Sequence, residues 1–182
     1  MKEKILKELL STGLYLLGVL VLTWLLITYV IQRTEVDGSS MEPTLSSGDN
    51  LFVDKISYRF HDPERFDIIV FPFQYQENTY YIKRIIGMPG ETVQITPDGS
   101  IYIDGERLQE SYGKEVIRED HIGRASEPIT LGENEYFVMG DNRNNSSDSR
   151  TTAVGNIQRE DIIGRAWVRI WPLSEFGVLK HQ

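Results

Sequence analysis

Two adjacent serines, a lysine inside an apolar run and a long polar loop are the residues of this chain whose types could do chemistry. Ser39 and Ser40 lie in Asp37-Gly38-Ser39-Ser40-Met41-Glu42-Pro43-Thr44-Leu45. A hydroxyl becomes a useful nucleophile when a neighbouring base takes its proton. Pro43 disfavours a helical conformation at Glu42, so this is not the strand-turn-helix elbow of Gly-x-Ser-x-Gly hydrolases, and the base must come from elsewhere. Read locally, the stretch is also an ordinary turn. Lys83 lies within Thr79 to Ile86, where strand alternation puts Tyr81, Lys83 and Ile85 on one face and Ile82, Arg84 and Ile86 on the other. Such surroundings desolvate an ammonium and lower its pKa. A neutral amine near neutral pH is a general base, and Ser-Lys pairs are a variant of the serine triad. The plainer alternative is a strand lysine whose head reaches water.

Gly140 to Arg150 (Gly-Asp-Asn-Arg-Asn-Asn-Ser-Ser-Asp-Ser-Arg) is nearly all polar. Calcium is excluded because Arg143 stands where an oxygen ligand is needed and the loop Gly and terminal Glu are missing. Besides a solvated loop, the pattern fits a hydrogen-bonded brace. In that brace Asp141 pairs with Arg143, Asp148 pairs with Arg150, and Ser146 or Ser149 reaches a lysine. With no cysteine, thiolate catalysis and zinc-thiolate sites drop out. His61, His121 and His181 are scattered, so no metal is expected. A net charge of -8 without a basic run argues against a nucleic-acid partner.

The elements that must position these residues begin with a membrane anchor. No charged residue occurs from Leu9 to Ile31, and residues 11–31 make a helix long enough to cross a hydrocarbon core of about 30 Å. Tyr15 and Tyr29 sit toward its ends. The run is too long for the core of a cleaved secretory signal and lacks a small-x-small site after it. Lys2, Lys4 and Lys7 precede the span and Arg33 follows, so residues 1–10 are expected in the cytoplasm and 34–182 outside as one extracytoplasmic domain. That domain reads as mostly β and antiparallel. Strands are expected at Leu51 to Val53, Asp67 to Phe71, Thr79 to Ile86, Thr92 to Thr96, Ser100 to Ile103, Glu135 to Met139 and Ala166 to Ile170, with a hairpin turn at Pro97-Asp98-Gly99 and another turn at Asp104-Gly105. Residues 109–130 lack a period and read as an irregular exposed excursion.

Together these stretches resemble the bacterial type I signal peptidases, membrane-anchored Ser-Lys enzymes. The resemblance rests on Ser-Met-x-Pro-Thr-Leu at Ser40 to Leu45, Lys-Arg-x-x-Gly-x-Pro-Gly at Lys83 to Gly90, and Gly-Asp-Asn-Arg-x-x-Ser-x-Asp-Ser-Arg at Gly140 to Arg150. It implies Ser40 as nucleophile, Lys83 as general base and Ser146 as the hydroxyl that orients the lysine. Asp148, Arg150, Asp141 and Arg143 are implied as supports, with Val36, Gly38, Tyr81 and Ile82 as walls of the substrate pockets. The implied partners are signal peptides of exported preproteins and the lipid bilayer, with no metal or cofactor. Gly38 stands where some members carry a serine that helps bind the oxyanion, which leaves the second oxyanion donor open. If the loop is extended and Ser40 faces Lys83, Ser39 faces away. A self-cleaving repressor uses a similar pair but needs a DNA-binding helix-turn-helix where this chain has its apolar span. A non-catalytic anchored β-domain is the third reading.

Overall fold

The computed structural model describes residues 2–180, and side chains at 4–25 and 30–180. The expectations for His181 and for the Tyr29 side chain concern groups outside that description. Helix α1, Lys2–Tyr29, contains a charge-poor window at Lys4–Leu25, and none of that window is covered by the rest of the chain. The anchor expected at 11–31 therefore starts earlier as helix and ends earlier. Ile31 already begins strand β1 (Ile31–Glu35), a strand the apolar run concealed.

Beyond the helix the domain is built on two antiparallel sheets. The larger runs β1, β2 (Asn50–Asp54), β11 (Gly164–Trp171), β3 (Ile68–Pro72), β4 (Tyr80–Gly87), β9 (Glu135–Met139) and β10 (Ile157–Gln158), with β12 (Gly177–Val178) on β11. The smaller one runs β7 (Glu106–Arg107), β6 (Ile101–Ile103), β5 (Thr92–Ile95) and β8 (Ile129–Thr130). Each strand expected from alternation is present within a few residues. Gly99 at φ +82° turns β5 into β6, and Asp104 and Gly105, both at positive φ, turn β6 into β7.

The larger sheet curls. Val36, Met41 and Leu45 from the loop after β1 share one apolar core with Leu51 and Val53 of β2, Ile68 and Val70 of β3, Ile82 of β4 and Ala166 of β11. In the order of the sheet β1 and β4 are separated by three strands, so a common core requires strong curvature. Two register shifts between β11 and β2 and one in β4 at Ile85 to Gly87 supply local bends. The segment 109–130 corrects the sequence reading. Ile117, Ile122 and Ala125 are buried between the sheets with Ile86, Val93, Ile95 and Phe137, so the excursion caps a core instead of lying free in solvent. Its period is unreadable because two short 3-10 turns, Glu119–His121 and Gly123–Ser126, break any regular spacing.

Candidate active site

The two halves of the site are placed by strand ends. Residues 36–49 join β1 to β2 and close on themselves through Val36 N–H to the Asp49 carbonyl and Gly48 N–H to the Val36 carbonyl. Strand β9 pairs Met139 with Arg84, so the polar loop that starts at Gly140 leaves the sheet next to Lys83. That loop then grips the serine loop. Asn142 donates from its backbone to the Ser40 carbonyl and from its side chain to the Ser39 carbonyl, both at 3.0 Å, and Asn145 Nδ2 donates to Ser39 Oγ at 2.9 Å. A Cβ on Gly140 would lie 2.4 Å from the Ser40 carbonyl oxygen and 2.3 Å from Ser146 Oγ, so the approach of the two loops needs glycine there.

Lys83 Nζ lies 2.8 Å from Ser40 Oγ and 3.0 Å from the carbonyl of Ile82. The side chain passes 5.0 Å from the centroid of the Tyr81 ring, which stacks on Phe73 at 4.6 Å. Burial lowers the Lys83 pKa from 10.5 to about 8. The carboxylates of Asp148 and then Asp141 oppose this, and Arg150 adds to it. Hydroxyl and amine thus stand at hydrogen-bond distance with the amine about half neutral near pH 8, an arrangement that can activate the hydroxyl for attack on a carbonyl.

The brace exists, with one pairing changed. Arg150 holds Asp148 by two bonds of 2.8 Å, and Gly140 N–H donates to the same carboxylate. Asp141 pairs with Arg84 and not with Arg143, through bonds of 2.9 and 2.7 Å, and it also accepts from the Thr44 hydroxyl of the serine loop. Arg143 turns the other way, to Glu110, while its Nε donates to the Gly140 carbonyl. Sequence spacing favoured the neighbour two residues away, but the alternative partners come from β4 and from the 109–130 segment. Ser149 accepts from Val138 N–H. Ser146 Oγ is shielded from solvent and has no hydrogen-bond partner among the described residues, so its expected contact with the lysine is not made in this state.

Thr34 to Met41 and Asn78 to Lys83 flank a cleft of about 550 Å³ that ends at Ser40 and Lys83. The four expected wall residues, Val36, Gly38, Tyr81 and Ile82, all line it, and so do Asn145, Ser147 and Ser39. Ser39 does not face away as alternation in an extended segment required. Residues 38–45 are bends and turns, so both serines border the same cleft. What separates them is the partner: Lys83 for Ser40, Asn145 for Ser39.

Among known proteins, the family model described as "Signal peptidase, peptidase S26" matches residues 9–171. The chain is 42% identical to a signal peptidase I of Leptolyngbya laminosa, over 84% of this chain and 74% of that one. It is 40% identical to a probable signal peptidase I-2 of Synechocystis, over 84% and 68%. A crystal structure of a signal peptidase I from Enterococcus faecalis aligns with a TM-score of 0.47 at 34% identity, covering 58% of this chain and 97% of that one. A family match over most of the chain, with relatives at this identity, places the protein in the peptidase S26 family of signal peptidases.

Proposed function

We propose that the chain removes signal peptides from exported preproteins after a small-x-small motif, with Ser40 as nucleophile and Lys83 as general base. The observation that carries this is the 2.8 Å approach of a buried amine to the Ser40 hydroxyl. Neutral Lys83 takes the hydroxyl proton as Ser40 Oγ bonds to the scissile carbonyl carbon, then returns it to the leaving amine as the C–N bond breaks. The resulting ester is cleaved by water: Lys83 takes one water proton as the water oxygen bonds to the acyl carbon, and passes it to Ser40 Oγ as the ester C–O bond breaks, which leaves the acid product and a neutral lysine.

Strand pairing supports an extended substrate. Ile85 exchanges backbone bonds with Phe66 and Asp67 on the β3 side. By alternation Ile82 and Tyr80 direct their N–H and C=O groups to the opposite side, and β9 pairs with β4 only from Arg84 onward. The edge of Tyr80 to Ile82 therefore faces the cleft unpaired by any strand among the described residues, with the Ile82 carbonyl held by Lys83 Nζ, and its remaining groups can take on a peptide by strand addition. Val36 and Ile82, both nearly buried, form shallow walls that leave room for small side chains beside Ser40. Helix α1, apolar and uncovered, fits a membrane anchor. With its lysines inside, the cleft stands on the extracytoplasmic side in a single-pass protein, where signal peptides emerge. No metal or organic cofactor enters this reading.

Detergent-solubilised protein is incubated with a preprotein, and the new N-terminus is sequenced. The expected cut follows a small-x-small sequence and disappears in Ser40→Ala, Lys83→Ala and Lys83→Arg, because arginine keeps the charge but does not deprotonate. Near-normal turnover by Lys83→Arg would remove the lysine from the base role.

A further inference from the structure

Gly38 is held at φ +104°, a conformation that side-chain-bearing residues rarely adopt. A hydroxyl at position 38 is therefore unavailable to this loop as folded, although the space around it is open. An acyl-transfer site still needs hydrogen-bond donors aimed at the oxygen that becomes negative. Two donors border the cleft at the nucleophile. The Ser40 backbone N–H has no acceptor among the described residues, whereas the carbonyls of Ser39 and Ser40 are drawn away by Asn142. The Ser39 hydroxyl receives Asn145 Nδ2 on its oxygen at 2.9 Å, and its own proton has no acceptor among the described residues. A hydroxyl whose lone pair is occupied is left to act as a donor.

We propose that the Ser39 hydroxyl is the second oxyanion donor of this enzyme, aimed into the cleft by Asn145, in place of the side chain that Gly38 lacks. During acylation the scissile C=O π electrons move to its oxygen as the Ser40 Oγ–C bond forms. The Ser40 N–H and the Ser39 O–H hydrogen bond to that oxygen, and neither proton is transferred. Asn145 is a positioning residue, since it touches Ser39 and not the reacting atoms. The inference deepens the acyl-transfer reading above and rests on it.

The test compares Ser39→Ala, Ser39→Thr, Asn145→Ala and Ser111→Ala with wild type and Ser40→Ala in the full-length, detergent-solubilised enzyme. Steady-state cleavage of one preprotein, thermal unfolding and affinity for a peptide aldehyde are measured for each. The aldehyde's hemiacetal with Ser40 carries the same oxyanion. Ser39→Ala should lower kcat about 100-fold, with KM and melting temperature within the range of wild type and aldehyde affinity reduced in parallel. Ser39→Thr, which keeps the hydroxyl, should recover most of kcat. Asn145→Ala should lower kcat less, again without changing KM. Ser111→Ala, at an exposed position outside the cleft, is the control and should behave as wild type. A Ser39→Ala enzyme with kcat near wild type overturns the proposal. So does a loss in Ser39→Ala that Ser39→Thr fails to restore, or one that leaves aldehyde affinity intact. Wild-type cleavage with an inactive Ser40→Ala shows in the same experiment that the nucleophile reading stands, so a failure at Ser39 is distinguishable from a failure of the proposed mechanism.

Discussion

Arg84 and Asp141 face each other through two bonds of 2.9 and 2.7 Å with both side chains fully shielded from water. Arg84 also lies 3.6 Å from the centroid of the Tyr112 ring and donates to the Phe66 carbonyl, while Asp141 accepts from Thr44. One ion pair thus joins β4, the polar loop, the 109–130 segment and the serine loop. Removing one partner leaves an uncompensated buried charge, which costs about 3–5 kcal/mol. Asp141→Ala is expected to lower stability by that order in chemical denaturation. Joint replacement by apolar residues, Arg84→Met with Asp141→Leu, should recover much of the loss. Cleavage by the double variant should stay low because Thr44 has lost its acceptor. Full activity in the stable double variant would show that the pair does not organise the serine loop.

The pH dependence of cleavage follows from the Lys83 environment. Its pKa is lowered to about 8, first by burial, so the productive neutral amine is the minority form at pH 7. The logarithm of kcat/KM should climb with a slope near one on the acidic side and level off near pH 8. A flat profile between pH 6 and 9 would contradict a proton-accepting lysine.

The same burial has a signed effect on stability. In the unfolded chain Lys83 keeps its proton up to about 10.5, while the folded enzyme releases it near 8. Between those values the unfolded state binds more protons, so wild-type stability rises with pH across that window, and below it the buried charge is a standing cost. Lys83→Met keeps the volume without the charge. At pH 7 it should stabilise the domain by roughly 1–3 kcal/mol, and this gain should shrink toward pH 10.5. Guanidinium titrations at the two pH values check this, and a pH-independent gain would mean that folded and unfolded chains hold the Lys83 proton equally, contrary to its lowered pKa.

Orientation is tested in cells. Protease added to intact spheroplasts should degrade the domain after residue 34 and leave the N-terminal segment, following the lysines that precede the anchor. Protection of the domain would invert the topology and remove its access to translocated signal peptides.

Most strands were legible because alternation survives wherever one face of a sheet is buried, and Lys83 was legible because its strand neighbours are apolar. What stayed hidden depended on contacts between distant parts of the chain. Asp141 sits two residues from Arg143, yet its partner Arg84 is 57 residues away. Arg143 finds Glu110 across 33 residues. No local spacing encodes either choice. Ile117 and Ile122 were lost among charges because a segment that caps a core at a few points needs no period. Ser39 departs from alternation because its stretch, residues 38–45, bends and turns.

Between the end of α1 at Tyr29 and the start of β1 at Ile31 there is a single residue, Val30, and its carbonyl accepts from the Lys55 N–H at the far end of β2. The junction therefore has no slack. Strand β1 rises about 3.3 Å per residue, and its last residues already border the cleft. For a helix seated in a bilayer, so short a junction holds the reacting atoms at a nearly fixed height above the lipid headgroups. Under the proposed function, the anchor would then set which peptide bonds of a membrane-tethered substrate come within reach of Ser40 before any side chain is read. Adding flexible glycines at Val30 would blur that selection by height while leaving the cleft itself unchanged.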